Sequence, residues 1–589
     1  MEHDNNTEMR KKNKVNTEKE GKTKISTEKI DTKKLNIKFH VLAIFCILLF
    51  CFALTPVTFQ NDTYYTIAIG KHIVETGAID MQDPFSWHED LPYTYPHWAY
   101  DVGTYLVYQL GENIGIGGFC ALYITTILLC MVLGIVIYYT TNKLCKNPVI
   151  SLLVSMAILY LLKDFITARA QLVTFILFAL TILFIEQFLK TKKKRYAIYL
   201  IIIPILIANL HCAVWPFYFV LYLPYIVEYI IASIADANLY YFIQIKWKQF
   251  KLKKIMKKGT LEEIGKCQED IARLQLEKET SVRKEKKRRE NPYKIILKKE
   301  PAVKWLIVIM IICIFTGFLT PLGTTPYTYL IKTMEGNTMD NISEHQPLTL
   351  VNNKAMLTVF IVYVLLLIFT DTKATLRDFL MLGGLTLLTF MSRRQASMFV
   401  LVCGFIFAKL VTNLLEKYDQ KGTQEVIKFA TSFLGKVLTI LIVILMSFIM
   451  YKGKIGNPYV NEKSYPVAAA NYILENLDVK NMRLFNEYNY GSYLLYRGIP
   501  VFIDSRADLY APEFNGTKNE KGEYEGRDIF SDYINVSSIS TYYEDKFEKY
   551  DITHVILGKR TKLNMFLSRD DNYKELYDDD NFVVYEREN

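Results

Sequence analysis

Acidic, imidazole and aromatic side chains are concentrated between residues 60 and 116. Asp62 lies at the start of this stretch, directly after an apolar segment, and His97 and Asp101 lie near its end. A carboxylate that faces a cavity can act as a general base or as a metal ligand. We therefore predict Asp62 as a catalytic base, with Asp101 and His97 as alternates, and leave a divalent metal open as a cofactor. The alternative interpretation is that Asp62 only caps the helix that follows it.

A second set of polar residues lies near the ends of apolar segments. It contains Arg169, the pair Asn209 and His211, and the adjacent arginines Arg393 and Arg394. Two like charges side by side repel each other unless an anion or a pair of carboxylates compensates them. The guanidinium fork also matches the oxygens of a phosphate. We therefore predict that this set binds a lipid phosphate. The alternative for Arg169 is that its side chain extends to lipid headgroups.

These side chains have to be positioned by a membrane domain. Hydrophobic residues make up 51% of the 589 residues and charged residues 22%, so the two populations must be segregated along the chain. Between residues 39 and 451 the chain repeats apolar runs of close to twenty residues, a length that crosses the roughly 30 Å hydrocarbon core. The pattern predicts a multi-pass α-helical membrane protein. It excludes a soluble enzyme, a disordered scaffold and a β-barrel, which needs alternating segments of about ten residues.

We predict about eleven transmembrane helices in the domain 39–451. Their approximate ranges are 39–59, 117–140, 147–163, 170–190, 197–212, 215–234, 303–321, 355–371, 379–392, 395–415 and 432–451. With the N-terminus inside, the loops rich in Lys and Arg fall on the cytosolic side, as the positive-inside rule requires. The predicted location is the plasma membrane, with residues 1–38 as a basic cytosolic tail. The loop 60–116 and residues 452–589 are predicted to be extracytoplasmic.

The formal net charge of +10 does not indicate nucleic-acid binding. Residues 246–300 carry 19 Lys and Arg against 9 Asp and Glu, inside the predicted cytosolic insert 235–302. Attraction of a basic juxtamembrane run to anionic membrane lipids is sufficient to explain this excess. The apolar residues at helical spacing in the insert are Leu261, Ile264, Ile271 and Leu274. They predict one amphipathic helix on the inner membrane surface.

The segment 452–589 has the alternation of a small α/β domain. The predicted strands are 483–486, 499–503, 552–557 and 582–585, and the predicted helices are 464–477, 490–496 and 562–566. All nine cysteines precede this segment and lie mostly inside apolar runs. The sequence therefore predicts neither a disulfide framework nor a cysteine-based zinc site.

Several motifs, in their order along the chain, resemble those of bacterial GT-C superfamily membrane glycosyltransferases. The first is similar to the first periplasmic loop of that group and comprises Asp62-Thr-Tyr-Tyr65, Gly70, Gly77, Asp83-Pro-Phe-Ser-Trp87, His97-Trp98 and Asp101. The others are Ala168-Arg169-Ala-Gln171, with Ala170 in place of a proline of the group, Ala208-Asn209-Leu-His211, Ser392-Arg393-Arg394, and the run from Arg483 to Tyr510. The resemblance implies a GT-C-like membrane domain followed by an extracytoplasmic α/β domain.

The resemblance also implies a function. It is the transfer of a sugar from a polyprenyl-phosphate-type lipid donor to an extracytoplasmic glycan, lipid or protein acceptor, with an acid of the first loop near the reacting carbon. Asp504, Arg506 and Tyr510 follow an apolar strand, where an α/β sheet presents polar groups to a ligand, so we predict them at the acceptor site. The alternative is that Asp504 and Arg506 only pair with each other and order the end of the strand.

The sequence departs from two subgroups of the superfamily. The first loop lacks the paired Asp-Glu of protein O-mannosyltransferases, and the C-terminal segment lacks the Trp-Trp-Asp of oligosaccharyltransferases. The sugar and the acceptor therefore stay open. Two other classes also stay open: a transporter or flippase of lipid-linked glycans, and a non-catalytic membrane protein of polysaccharide assembly. Convergence of Asp62, Arg169, His211 and Arg393 on one cavity would favour the enzyme.

Overall fold

The structure is a computed structural model that describes residues 32–290, 292–336 and 341–588. Most of the predicted cytosolic tail 1–38 therefore lies outside the described residues. Long apolar helices make up the chain as far as residue 452. They are Thr32–Leu54, Gly118–Cys145, Pro148–Leu161, Ala170–Thr191, Lys194–Leu210, Trp215–Val220, Leu223–Ala237, Val303–Ile314, Lys354–Phe369, Leu376–Met391, Ala396–Tyr418 and Phe433–Lys452.

The apolar segments that were predicted to span a membrane coincide with these helices. Among the described residues, five helical segments are long and apolar enough to cross a bilayer, and four more are shorter apolar helices. The chain is accordingly a membrane protein. The number of crossings and the side on which each terminus lies stay predictions.

The helices differ in how much of their surface other helices cover. In the most apolar window of Ala170–Thr191, 72% of the residues are buried inside the protein, against 17% in that of Phe433–Lys452. Ala170–Thr191 is therefore a central helix. Phe433–Lys452 presents most of its apolar surface outward, as a helix that faces lipid does. Local caps begin several helices. Asn147 Oδ1, for example, accepts hydrogen bonds from the amides of Val149 and Ile150 at the start of Pro148–Leu161.

Two helices fold the loop 60–116 into a compact layer. Asn61–Thr76 and Trp98–Asn113 pack against each other, and Gly70 lies at their closest approach. A Cβ atom on Gly70 would come within 2.1 Å of the carbonyl oxygen of Asp101, so only glycine fits there. This contact fixes Asp101 and the neighbouring His97 relative to the first helix.

The C-terminal region contains a mixed four-stranded sheet. Leu484–Phe485 runs parallel to His554–Gly558, which pairs antiparallel with Phe582–Arg587, and Tyr573–Asp578 forms the other edge. The helices of this region are Val467–Asn476, Tyr488–Tyr496, Pro512–Asn515, Ile529–Ser538, Tyr543–Lys549 and Lys562–Leu567. The sequence did not predict the edge strand Tyr573–Asp578 because half of its side chains, those of Lys574, Glu575 and Asp578, are exposed and charged, which hides the apolar alternation of a strand.

Residues 499–503 correct one prediction. They are buried, as expected of a strand, but they do not join the sheet. Val501 instead forms an isolated parallel bridge with Ser86 of the first loop, through hydrogen bonds of 3.4 Å to the backbone of Phe85 and Trp87. The loop 60–116 therefore supplies the backbone partner that this segment would otherwise find in the sheet.

The same two regions share one apolar core. Tyr64 of the first loop packs edge-on against Tyr465 and Tyr493 of the C-terminal region, with ring centroids 4.9 and 5.2 Å apart. The indole nitrogen of Trp87 donates to the carbonyl of Leu484 at 2.9 Å. The first loop and the C-terminal region therefore form one layer over the ends of the membrane helices.

The insert 235–302 differs from its prediction. It forms a hairpin of two helices, Leu239–Lys258 and Leu261–Glu290, rather than the single predicted helix. Ile271 and Leu274, predicted to face lipid, are buried against Ile245 of the preceding helix. The apolar periodicity correctly predicted a helix, but the helix Leu239–Lys258 covers the apolar face of Leu261–Glu290.

Short elements complete the fold. They are the helices Thr325–Glu335, Gln420–Thr431, Lys163–Phe165, Cys212–Val214, Phe315–Phe318, Leu350–Asn352, Arg393–Gln395 and Ala507–Tyr510, and the strand pairs Ile295–Ile296 with Ala374–Thr375 and Thr517–Lys518 with Tyr524–Glu525.

Candidate functional site

A cavity of about 750 Å³ lies where the ends of the membrane helices meet the first loop and the C-terminal region. The predicted site residues that line it are Asp62, His97, Arg169, His211, Arg394 and Arg506. The predicted site residues that do not line it are Asp101, Asn209, Arg393, Asp504 and Tyr510. The volume is in the range of small-molecule sites.

Asp62 and Arg169 form an ion pair in the wall of this cavity. Asp62 lies in the first turn of the helix Asn61–Thr76, and no side chain caps that helix, so capping does not explain Asp62. Arg169 directly precedes the central helix Ala170–Thr191. Its backbone N–H donates to the carbonyl oxygen of Thr167, which holds the residue at the helix end. The ion pair fixes the carboxylate of Asp62 at the cavity surface.

A second carboxylate also approaches Arg169. Glu344 Oε1 lies 3.7 Å from Arg169 Nη1, and its side chain is half exposed to the cavity. Burial disfavours the charged guanidinium, but the two carboxylates outweigh burial and raise the pKa of Arg169 above its usual value. The charge of Arg169 is therefore already compensated, which makes it a weaker candidate for a phosphate than the sequence suggested.

The adjacent arginines face different surroundings. Arg393 Nε donates to the carbonyl of Pro347 at 3.3 Å, and its side chain does not line the cavity. The Arg394 side chain lines the cavity, and within the part of the chain that the structure describes its guanidinium forms no ion pair. The short helix Arg393–Gln395 turns the two side chains in different directions. The sequence predicts that both arginines bind the phosphate, whereas the geometry favours Arg394 alone for this role.

His97 belongs to a hydrogen-bonded chain of three side chains. Its Nδ1 lies 2.7 and 2.9 Å from the carboxylate oxygens of Asp101, and its Nε2 lies 3.1 Å from the hydroxyl of Tyr65. Asp101 is completely buried. Burial raises the pKa of Asp101, although the neighbouring His97 opposes this rise. Asp101 is thus positioned to orient His97, and it reaches the cavity only through that imidazole.

His211 and Asn209 have different roles in the structure. His211 lines the cavity, and its Nδ1 lies 2.8 Å from Thr174 Oγ1. Asn209 Oδ1 accepts from the indole of Trp98 at 3.2 Å, and its amide nitrogen donates to two backbone carbonyls. Asn209 therefore attaches the first loop to the end of the helix Lys194–Leu210 and does not face the cavity.

Arg506 lies at the centre of a buried cluster that joins the C-terminal region to the first loop. Its guanidinium donates to both oxygens of Asp504 at 2.9 and 2.7 Å and to Asp83 at 2.7 Å. Tyr510 donates to Asp504 at 2.6 Å. Burial raises the pKa of Asp83, but Arg506 reverses this effect and holds it below its usual value. We name Asp83, Asp504, Arg506 and Tyr510 the interregion cluster.

Sequence reasoning did not single out two acidic residues that line the cavity, Asp508 and Glu344. Asp508 accepts a hydrogen bond from Tyr329, and burial raises its pKa despite that bond and the positive charge of Arg394. Glu344 has no signal in the sequence, because it lies in a segment with no periodicity and meets Arg169 only through the fold. The run quoted for the resemblance contains Asp508 but did not distinguish it from Asp504.

The residues do not form an evident metal site. Across residues 32–290, 292–336 and 341–588, no group of three His, Cys, Asp or Glu side chains is placed to hold a metal ion. Asp62 and Glu344 are bound to different nitrogens of Arg169. We therefore derive no step through a metal.

The fold is similar to that of solved membrane enzymes. The apo oligosaccharyltransferase from Archaeoglobus fulgidus aligns with a TM-score of 0.50 and 12% sequence identity, over 89% of this chain and 69% of that one. The same archaeal enzyme in complex with an inhibitory peptide and a dolichol-phosphate aligns at 0.49 and 12% identity, over 95% and 75%. No protein-family model and no curated protein sequence matches the chain. At this identity the likeness shows the fold alone, so the chain has a fold similar to that of the archaeal oligosaccharyltransferase.

Proposed function

We propose that the protein is a membrane glycosyltransferase that moves a sugar from a polyprenyl-phosphate-type lipid donor to an extracytoplasmic acceptor. The observation that carries the proposal is the cavity, which is lined by the Asp62 carboxylate, held by Arg169, and by the Arg394 guanidinium, which has no ion-pair partner among the described residues. Glycosyl transfer from a phosphate needs these two groups, because one must take a proton and the other must stabilise a leaving anion.

The lining supports a donor that is part lipid. Phe217, Leu388 and Met391 line the cavity from the membrane helices, beside the end of the helix that precedes Arg394. An apolar chain can lie along these side chains while its phosphate reaches Arg394. The phosphate accepts charge-assisted hydrogen bonds from that guanidinium.

The reaction that we propose is one displacement at the anomeric carbon. The bond between that carbon and the phosphate oxygen breaks, its electron pair stays on the phosphate, and Arg394 stabilises the charge. A bond forms between the acceptor atom and the anomeric carbon, and the proton of the acceptor passes to Asp62. His97, oriented by Asp101, lines the same cavity and is the alternative base.

The nature of the acceptor is left open by the proposal. One solved structure with a similar fold is an oligosaccharyltransferase, but this chain lacks the Trp-Trp-Asp of that subgroup in its C-terminal region. We propose that the C-terminal region borders the acceptor part of the cavity, through Asp508, Tyr488 and Phe530.

The experiment is a comparison of lipid-linked glycans by mass spectrometry in cells without the protein and in cells complemented with wild type or Asp62→Asn. We expect the lipid-linked donor to accumulate without the protein and with Asp62→Asn, and to be consumed with wild type. Asp90→Asn, which changes an exposed carboxylate of the same loop, is the matched control and should behave as wild type. Consumption of the donor with Asp62→Asn would contradict the proposed base, and an unchanged lipid pool in cells without the protein would contradict the function.

A further inference from the structure

The first helix of the hairpin in the insert 235–302 has an apolar face that no described residue covers. Tyr240, Ile243, Trp247 and Phe250 follow one another at intervals of three or four residues, so they lie on one face of the helix Leu239–Lys258. Their exposed fractions are 65%, 57%, 62% and 66%. Large apolar side chains rarely form such a continuous exposed stripe unless something covers it.

The opposite face of the same helix already has a partner. Ile245 is buried against Cys267, Ile271 and Leu274 of the second helix, with Leu252 and Ile255 packed beside them. The second helix therefore cannot cover the stripe. The stripe needs an occupant that is not part of the hairpin.

Charge indicates what that occupant is. The helix Leu239–Lys258 carries seven lysines and no acidic residue, whereas Leu261–Glu290 carries nine basic and eight acidic residues. Lys246, Lys251, Lys254 and Lys257 flank or extend the apolar stripe and are exposed. An apolar stripe bordered by cations on a helix matches a bilayer surface with anionic headgroups, because the apolar side chains enter the acyl boundary and the lysines contact phosphates.

The attachment of the hairpin places this helix beside a membrane span. The helix begins three residues after Asp236, which ends the candidate span Cys212–Asp236, and Asn238 makes the turn in a left-handed conformation with φ of 44°. Asp236 pairs with Arg289 and, at 2.8 Å, with Lys299, and Asn238 Nδ2 donates to Ser281 Oγ at 2.7 Å. These contacts hold both ends of the hairpin at the end of the span.

We propose that the helix Leu239–Lys258 is a binding site for the surface of an anionic bilayer, with Tyr240, Ile243, Trp247 and Phe250 inserted at the headgroup boundary. The role differs from the sequence prediction, which assigned it to the second helix. It is independent of the proposed glycosyl transfer.

The test uses the fluorescence of Trp247 in the full chain, reconstituted into vesicles of phosphatidylcholine with or without phosphatidylglycerol. The Trp247 signal is the difference between wild type and Trp247→Phe, a substitution that keeps an aromatic side chain and the hairpin core. We expect lipids brominated along the acyl chain to quench this signal and aqueous acrylamide to leave it, most strongly with phosphatidylglycerol. Quenching by acrylamide alone would overturn the proposal, and so would protection from both quenchers, which would indicate a protein partner or a second copy.

A charge variant tests the anionic part of the proposal. Replacing Lys246, Lys251, Lys254 and Lys257 with Gln should reduce the enrichment of phosphatidylglycerol that copurifies with the protein by about fivefold for each lysine that contacts the surface. The control replaces Lys266 and Arg273, exposed cations of the second helix away from the end that Ser281 and Arg289 hold at the span, with Gln and should keep the enrichment. An equal loss in both variants would contradict a specific role for the first helix.

Discussion

The cavity and the interregion cluster both contain carboxylates and guanidinium groups, but they differ in how far these groups are buried and how completely their charges are paired. In the interregion cluster, Arg506 makes short hydrogen bonds to Asp83 and Asp504, and the three side chains are almost completely buried. In the cavity, Asp62 shares Arg169 with the half-exposed Glu344, and Arg394 has no ion-pair partner among the described residues. In the first arrangement two buried carboxylates compensate the guanidinium, whereas the second leaves the charge of Arg394 available to a ligand.

This difference separates residues that hold the fold from residues that can do chemistry. A buried guanidinium that bonds to carboxylates from two parts of the chain stabilises the contact between those parts, and its removal leaves buried carboxylates without a partner. A charge that faces a cavity without compensation costs free energy in the empty protein and regains it when a ligand binds. The following substitutions test the distinction in order of decreasing expected effect.

Removal of Arg506 should have the largest effect, and the effect should be on stability. Arg506→Met keeps much of the side-chain volume but leaves Asp83 and Asp504 buried without their cation, which costs about 3–5 kcal/mol. The free energy of unfolding in detergent micelles measures this loss. Arg483→Met is the control, because Arg483 pairs at 3.0 Å with the exposed Asp551 and such a pair contributes at most about 1 kcal/mol. Similar losses in both variants would contradict the structural role of the cluster.

Replacement of Asp62 should act mainly on turnover. Asp62→Asn keeps the shape of the side chain and removes the proposed base, so the rate of sugar transfer by purified protein should fall by about 10²–10³. The concentration of lipid donor at half saturation should change little, because Asp62 does not contact the phosphate in the proposed arrangement. Wild-type turnover would exclude Asp62 as the base, and the same assay on His97→Gln then tests the alternative.

Substitutions of Arg393 and Arg394 can be compared directly, because the two residues are adjacent in one short helix. Arg394→Ala should weaken binding of a short polyprenyl phosphate by about 10- to 150-fold, the range of 1.5–3 kcal/mol for a hydrogen bond to a charged group. Arg393→Ala removes a similar side chain that bonds to the Pro347 carbonyl and should leave this affinity nearly unchanged. Equilibrium binding to protein in detergent measures both. A larger loss for Arg393→Ala would reverse our assignment.

Local patterns were sufficient for much of the fold. Apolar runs marked the membrane helices, and the alternation after residue 452 marked most strands and helices of the C-terminal region. The density of polar and aromatic residues in the first loop singled out Asp62 and His97, and both line the cavity. These features depend on neighbours in the sequence, so they can be read from it.

Features that depend on distant contacts could not be read in this way. Residues 499–503 have the composition of a buried strand, but their backbone partner is the first loop, about 400 residues away. Glu344 reaches Arg169 only because the helices bring their ends together. Nothing in the doublet Arg393 and Arg394 tells which side chain faces the cavity, because the direction depends on the turn that carries them.

The smallest expected effect concerns how two carboxylates respond to pH. Burial raises the pKa of Asp508 in the cavity, whereas Arg506 more than offsets burial and lowers the pKa of Asp83 in the interregion cluster. The folded protein therefore holds a proton on Asp508 more tightly than the unfolded chain does, and the free energy of unfolding falls as the pH rises through the folded pKa of Asp508. For Asp83 the sign is opposite, because its stabilising contribution is present above the unfolded pKa and is lost as the pH falls through the folded value.

Two conservative variants separate these signs. Asp508→Asn can still accept from Tyr329 and should be more stable than wild type at neutral pH, by about 1.4 kcal/mol for each unit by which the pKa is raised. That gain should vanish as the pH falls below the unfolded pKa of an aspartate, about 3.9.

Asp83→Asn should be less stable than wild type at neutral pH, and its deficit should shrink as the pH falls toward the acid range. The free energy of unfolding, measured for wild type and both variants between neutral and acid pH, checks the two signs. A loss of stability in Asp508→Asn at neutral pH would mean that the carboxylate of the cavity is compensated like those of the interregion cluster, and the distinction between the two regions would then fail at this residue.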